Sequence, residues 1–370
     1  MDRFKECAIG GRKSFLKGAA DVRFGRLDDG DPVRPRILVM SASVSLPIVD
    51  GLRFRYHAEI ECATQTGYAM ADKQDLDFTY STIDRIFRLS MGETGDFSGA
   101  MYDGDFSMTL EEAQEKKHRF IVEQLNITPK SRVLDMGCGW GPLVSYITNR
   151  VGAQCTGLTL SDGQARACRK NGLDVHIKNC LTVTASDFGT FDAVASLGAF
   201  EHFCSIEQYQ AGEQEDVYRG FFRTVHDLLP DGGRLFLQTM VFGPNMIDLD
   251  DIDIRAKKGS TPHVLALLTR QFPGSWLPYG SEMIVECAAT HFDLVTESSG
   301  RLDYIETITQ WEKRYRSFNL EKYAFFLSLL PKYLTDENIR ALLTTSPNKI
   351  CFEREVFEHY RMVFEKKPSA

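Results

Sequence analysis

The stretch Val133-Leu134-Asp135-Met136-Gly137-Cys138-Gly139-Trp140-Gly141 decides the fold. It has the chemistry of a loop that carries a nucleotide-like cofactor at the end of a buried strand. Three alternate glycines leave no side chains between backbone and ligand, and they permit the positive φ values of a sharp strand-to-helix turn. A dinucleotide loop spaces its glycines as GxGxxG beneath a helix N-terminus. Here the spacing is GxGxG, with the acid Asp135 just before it. That pattern suits a cationic, amino-acid-bearing cofactor better than a pyrophosphate, and S-adenosylmethionine is the common example.

The flanking order agrees. A short apolar strand over 131–136 is followed by an apolar-periodic helix over 142–151, with Pro142 in its first turn, where the missing N–H costs nothing. A second strand is predicted over 155–160, with Ser161 as helix N-cap, Gln164 three residues later and Gly172 as the stop. Further strands are expected at 175–177, 191–197 and 234–240, and a helix over 217–229. Alternating strands and helices predict an α/β class, a mostly parallel sheet with helices on both faces.

Beyond this core, the segments 109–114 (TLEEAQ), 133–141, 157–161 (GLTLS) with Gln164, 196–203 (SLGAFEHF), 272–278 (FPGSWLP) and 302–311 occur in an order and spacing that resemble the cyclopropane fatty acid synthase and mycolic acid cyclopropane synthase family of S-adenosylmethionine-dependent enzymes. The resemblance covers roughly Tyr80 to Glu365. It implies a class I methyltransferase Rossmann-like fold, and a cofactor site formed by Phe97, Ser98, Asp135, Gly137, Cys138, Gly139, Thr159, Gln164, Asn179, Cys180 and Leu197. Thr159 and Gln164 stand where many related folds place a ribose-binding acid, and this is the family's own solution. Phe97-Ser98 aligns with a Tyr-Ser cofactor contact, so one hydroxyl is lost.

In the same family a bound bicarbonate takes up the proton released on ring closure, held by a cysteine, a glutamate, a histidine and a tyrosine. The resemblance places Glu201 and Tyr304 on the glutamate and tyrosine. Gly99 and Gln238 stand at the cysteine and histidine. The expected catalytic set is therefore Glu201, Tyr304 and, adjacent to the first, His202. Glu201 is expected to stay ionised near neutral pH beside the sulfonium and to accept a proton or steady the acceptor.

The expected reaction is S-adenosylmethionine-dependent C-methylation of a small, partly apolar metabolite at a phenol, enol or alkene carbon. A lipid cyclopropane or methyl-branch synthase, an N-methyltransferase of a small amine, and a non-catalytic cofactor-binding interaction protein stay open. No metal is expected, because the nine cysteines are scattered without ligand spacing, which also favours free thiols in a reducing compartment.

Length, at 370 residues, allows a large core. Residues 1–77 are expected to form an N-terminal extension, a cap or oligomerisation element with strand-like stretches at 36–47 and 52–60. Residues 78–370 would be the methyltransferase domain, with acceptor-site elements inserted at about 240–345. A net charge of −8 argues against nucleic acid or anionic membrane as a partner. The expected partner is a small-molecule acceptor, with lipid-like character and homo-oligomerisation left open. No apolar run is long enough to span a membrane and the first residues lack a secretion signal, so a cytoplasmic location is expected. The basic cluster Lys116-Lys117-His118-Arg119 is expected to be a solvated helix face.

Overall fold

The computed structural model describes residues 95–272, 274–317, 327, 334 and 347–368, together with the backbone of three strands before them. The chain divides into two compact units, 1–67 and 68–370. In the first, β1 (Ala20–Phe24), β2 (Val39–Val44) and β3 (Tyr56–Glu61) form an antiparallel sheet in the order β1-β2-β3. The second and third of these fall on the stretches expected to be strand-like; the first was not anticipated.

The second unit is built on seven strands: β4 (Arg132–Met136), β5 (Gln154–Thr159), β6 (Asp174–Ile177), β7 (Ala193–Leu197), β8 (Arg234–Phe242), β9 (Phe292–Ser299) and β10 (Phe357–Lys366). Their spatial order is β6-β5-β4-β7-β8-β10-β9. The first five are parallel, and β10 returns antiparallel between β8 and β9. The strand order reverses at β4, so β4 and β7 diverge at their carboxyl ends and open the crevice where ligands of such sheets bind. Core residues Val133, Leu134, Met136, Val194 and Ala195 are fully buried in the two central strands, as a sheet covered on both faces requires.

The helix after β4 begins as expected at Pro142 but runs as an α-helix only to Tyr146 and continues as a π-turn over Ile147–Val151. The helix Gln214–Leu228 starts three residues before its expected position, and its buried Tyr218, Phe221, Phe222 and Val225 pack beneath the sheet. Phe200 stacks on Tyr218 at 4.5 Å and meets Phe221 edge-on at 5.3 Å. These aromatic contacts pin the short turn Phe200–His202 that follows β7.

The basic cluster lies on a solvated face only in part: Arg119 is exposed and Lys116 half-buried, whereas Lys117 and His118 are buried. Thr109 caps the helix Leu110–Gln124 with a reciprocal Thr109–Glu112 capping box. Gln114, Lys117, His118 and Ile121 then recur at helical spacing on its buried side. Lys117 Nζ lies 2.8 Å from Asp96 Oδ2 and also reaches Gln114 Oε1 at 2.5 Å; the His118 ring sits 3.0 Å from the same carboxylate oxygen. Burial raises the Asp96 carboxyl, but Lys117 and His118 together outweigh it and hold the group below the ordinary carboxylate range. Charge alone cannot tell a solvated lysine from a paired buried one. Lys117→Met would leave a buried anion without its cation, and denaturant unfolding should show a loss of about 3–5 kcal/mol. Arg119→Ala, removing an exposed charge, should cost within about 0.5 kcal/mol; equal effects would mean that the pair is not the anchor.

Candidate functional site

The crevice above β4 and β7 is floored by the glycine loop. Asp135, next to last in β4, is buried, and its carboxylate accepts no hydrogen bond from a described residue. Burial first, and the negative charge of Asp96 second, push it up to about 7, with Lys117 pulling the other way.

The glycines that follow serve different purposes. Gly137 has φ +92°, and a Cβ built there would lie 2.3 Å from Ala199 Cβ. Its missing side chain is what lets the loop after β7 approach. Gly139 has φ +54° and would project its Cβ into open space, so it is the glycine facing the cleft. Cys138 is buried, its Sγ 2.7 Å from where Gly157 would carry a Cβ, so the thiol fills space against β5.

Ser161 caps the helix Asp162–Lys170, its hydroxyl accepting from Gln164 N. The Gln164 side chain does not complete a capping box; its Oε1 instead accepts from Thr159 Oγ1 at 2.7 Å. This leaves the Gln164 amide Nε2 without a partner among the described residues. Asn179 caps the turn Cys180–Thr182 through a bond from Leu181 N, and Cys180 is buried beneath it. Leu197 ends β7 opposite Gln238. Phe97 is half-exposed and stacks on Trp311 at 5.2 Å, while Ser98 donates to Asp96 Oδ1 at 2.7 Å and accepts from Lys117.

A second group gathers on the face of β8 and β10. Glu201 is buried and its Oε1 accepts from Met240 N at 2.8 Å. Burial raises this carboxyl to about 8, only partly offset by that bond. The expectation that it stays ionised at neutral pH is thereby corrected for the free protein: a single backbone donor does not replace the water that burial removes. Tyr304, on the helix Arg301–Arg316, is buried, and its phenol is pushed up by burial and then by the charge of Glu201. His202 is exposed and pairs with Ser275 Oγ at 2.9 Å; no described contact links it to Glu201 or Tyr304.

Gln238 Nε2 donates to Gly99 O at 3.0 Å, and its buried Oε1 has no hydrogen-bond partner. His359, which the sequence reading missed, stands opposite Met240 on β10, with its ring 4.8 Å from that of Tyr304. The alternation of β10 offered a signal: His359 and Arg361, two positions apart, share one face of the strand. Trp276 packs against Tyr209 and Phe242, so the aromatic segment around it is largely internal packing.

With this geometry in place, comparison assigns the family. The mycolic acid cyclopropane synthetase family matches residues 69–328, well over half of the chain. The protein belongs to that family. A relative, cyclopropane mycolic acid synthase 3 of Mycobacterium tuberculosis, is 30% identical over 236 residues, 63% of this chain and 78% of the relative. The solved structure of the cyclopropane synthase MmaA2 from the same organism superposes with a TM-score of 0.64 at 25% identity, covering 80% of this chain and 98% of that one. Mycolic acid cyclopropane synthase CmaA1, complexed with SAH and CTAB, superposes at 0.63 with 24% identity over 81% of this chain and all of its own. The expected fold class is confirmed, and the chain is an S-adenosylmethionine-dependent methyltransferase.

The cofactor fits the residues present: a buried carboxylate without a hydrogen bond, a cleft-facing glycine and an unpaired amide suit a ligand with a cationic head and ribose hydroxyls. The bicarbonate ligand set that the family resemblance implies is incomplete: Gly99 offers no side chain, and Gln238, in place of the histidine, donates one amide N–H to Gly99 O.

Gly137→Ala should destabilise the fold by at least about 2 kcal/mol, combining overpacking against Ala199 with a left-handed backbone strained for an L side chain. Adding Ala199→Gly to the same chain should recover the steric part. An unchanged unfolding midpoint in the single variant would contradict this assignment of Gly137.

Proposed function

We propose that this protein methylates a carbon of an apolar acceptor that carries an oxygen function beside that carbon, as an enol or phenol does. The observation that carries the reading is the unpaired polar set in an apolar wall. Gln238 Oε1 is buried without a hydrogen bond among the described residues, and only one Glu201 oxygen accepts one. Buried polar groups are normally satisfied, and a plain alkene would leave all of them unsatisfied. Arg361 adds no free charge to the wall, because Asp303 pairs with it at 2.9 Å and Ala100 O accepts from it. The acceptor is therefore held by neutral hydrogen bonds and apolar contact.

When bound, S-adenosylmethionine supplies an activated methyl group on a sulfonium. Asp135 would hold its cationic amino-acid end, the loop at Gly139 its backbone approach, and Thr159 with Gln164 its ribose. Glu201, once ionised by the nearby cation, takes the proton from the acceptor carbon or its hydroxyl. The freed electron pair makes that carbon nucleophilic. Tyr304 orients the acceptor oxygen, and the turn Phe200–His202 fixes Glu201 against the sheet. The net exchange is a hydrogen for a methyl group, with the proton leaving through Glu201 to solvent.

The relatives named as cyclopropane mycolic acid synthases favour a second reading, a lipid acceptor with an unsaturated acyl chain. The two readings separate in carbonate-depleted buffer with isotope-labelled methyl donor. The proposal requires turnover unaffected by bicarbonate and a methylated product without a three-membered ring. Bicarbonate stimulation together with ring formation would establish the second reading instead.

Glu201→Gln should lower turnover by about a hundred- to ten-thousand-fold, with cofactor affinity falling much less. Because the free carboxyl sits at about 8 and cation binding lowers it, the acid limb of acceptor kcat/KM at saturating cofactor should fall below pH 8. Wild-type rates in the Gln variant would remove Glu201 from the chemistry.

Cofactor affinity itself should depend on pH through Asp135. A cation favours the ionised carboxylate, whose free value is about 7, so calorimetric affinity should weaken from pH 8 to pH 6, about tenfold from Asp135 alone. Asp135→Asn should bind weakly with a shallower profile, the remaining slope coming from Glu201; an equally steep profile in that variant would place the titrating group elsewhere.

A further inference from the structure

His359 is the buried side chain of the acceptor wall that no role above consumes. It is 1% exposed; Nδ1 lies against the Gly300 backbone, and Nε2 has no hydrogen-bond partner among the described residues. The imidazole occupies the space opposite Gly99: a Cβ there would lie 3.1 Å from its Cε1, 3.4 Å from its Nε2 and 3.3 Å from Tyr304 Cγ. A side chain at 99 would press on this ring and on Tyr304, so the glycine gives the imidazole its room. On the other edge, a Cβ at Gly300 would lie 2.5 Å from Nδ1 and 2.9 Å from Arg361 Nη1. Nδ1 thus lies beside the Gly300 backbone and the Arg361 side chain, and Nε2 lies on the side of Gly99 and Tyr304.

The connection to Glu201 runs through one residue. His359 lies directly across from Met240, whose N–H is the donor to Glu201. One step along the same face, Gln238 lies across from Arg361 and presents its unpaired Oε1.

We propose that His359 is a specificity-determining catalytic residue whose Nε2–H donates a hydrogen bond to the acceptor oxygen, so that this site selects oxygen-bearing acceptors over plain alkenes. The inference rests on the oxygen-bearing reading of the acceptor and names the side chain that enforces it. Burial and the nearby Arg361 and Lys117 charges hold the imidazole well below its ordinary pKa, which keeps it neutral. A neutral imidazole stabilises developing negative charge on oxygen without surrendering its proton.

The test uses the full chain saturated with S-adenosylhomocysteine and two probes of equal length, 2,4-nonanedione, which enolises, and the oxygen-free 1-nonene. Wild type should bind the diketone more tightly than the alkene. His359→Phe, which keeps the ring and removes both nitrogens, should reduce that preference about five- to tenfold, the worth of one hydrogen bond, with alkene affinity within about twofold. His359→Gln, which restores a donor, should regain most of the preference. On adding the diketone to nitrogen-15 histidine-labelled wild type, the Nε2 resonance should shift and remain protonated. Preference retained in folded His359→Phe overturns the proposal while leaving the acceptor reading intact, as does equal loss for both probes. Wild type binding both probes equally overturns the acceptor reading and the proposal with it. Should neither variant fold, the labelled spectrum decides, and an unprotonated or unshifted Nε2 rejects the proposal.

Discussion

Two carboxyl groups buried at the carboxyl edge of a parallel sheet, neither with a side-chain cation of its own, are the constraint on which the site depends. An isolated ionised carboxylate in an apolar interior is so costly that the group keeps its proton instead. Asp135 and Glu201 accordingly sit at about 7 and about 8. Asp96, whose charge acts on Asp135, escapes this fate because Lys117 is 2.8 Å away. The contrast shows what the crevice lacks. A ligand that brings positive charge is attracted most by the two unpaired carboxyls, and it ionises them as it binds.

The rest of the architecture holds these two groups in place. Asp135 is set by the pairing of β4 with β5 and β7. Glu201 is set by the Phe200 aromatic cluster on one side and the Met240 N–H on the other. Gly137 joins the two halves, because only a glycine there allows Ala199 to approach. A carboxylate that reacts through geometry gains from such rigid support. Membership of the cyclopropane synthetase family explains the scaffold, whereas the departures at Gly99 and Gln238 and the ring of His359 make the acceptor wall this chain's own.

Much of the cofactor half was legible in the sequence, because its signals are local. The strand, the alternate glycines, Ser161 as a cap and the Thr159–Gln164 pair all lie within short windows, and the structure places them as read. The acceptor half was legible only where the family resemblance supplied it. His359 joins Gly99 and Tyr304 across more than 250 and 50 residues of chain, through an antiparallel return strand that no local pattern announces. Lys117 was misjudged for a related reason: its partner Asp96 lies in the segment before the helix. The ionisation of Glu201 depends on how many donors burial leaves it, which is a property of packing.

The most direct measurement is a carbon-13 NMR titration of the Asp135 and Glu201 side-chain carboxyls, assigned by single substitution, without and with S-adenosylmethionine. The account predicts free-protein midpoints near 7 and near 8, both moving to lower pH when the cofactor binds. Two midpoints in the ordinary carboxylate range near 4, unmoved by the cofactor, would contradict it.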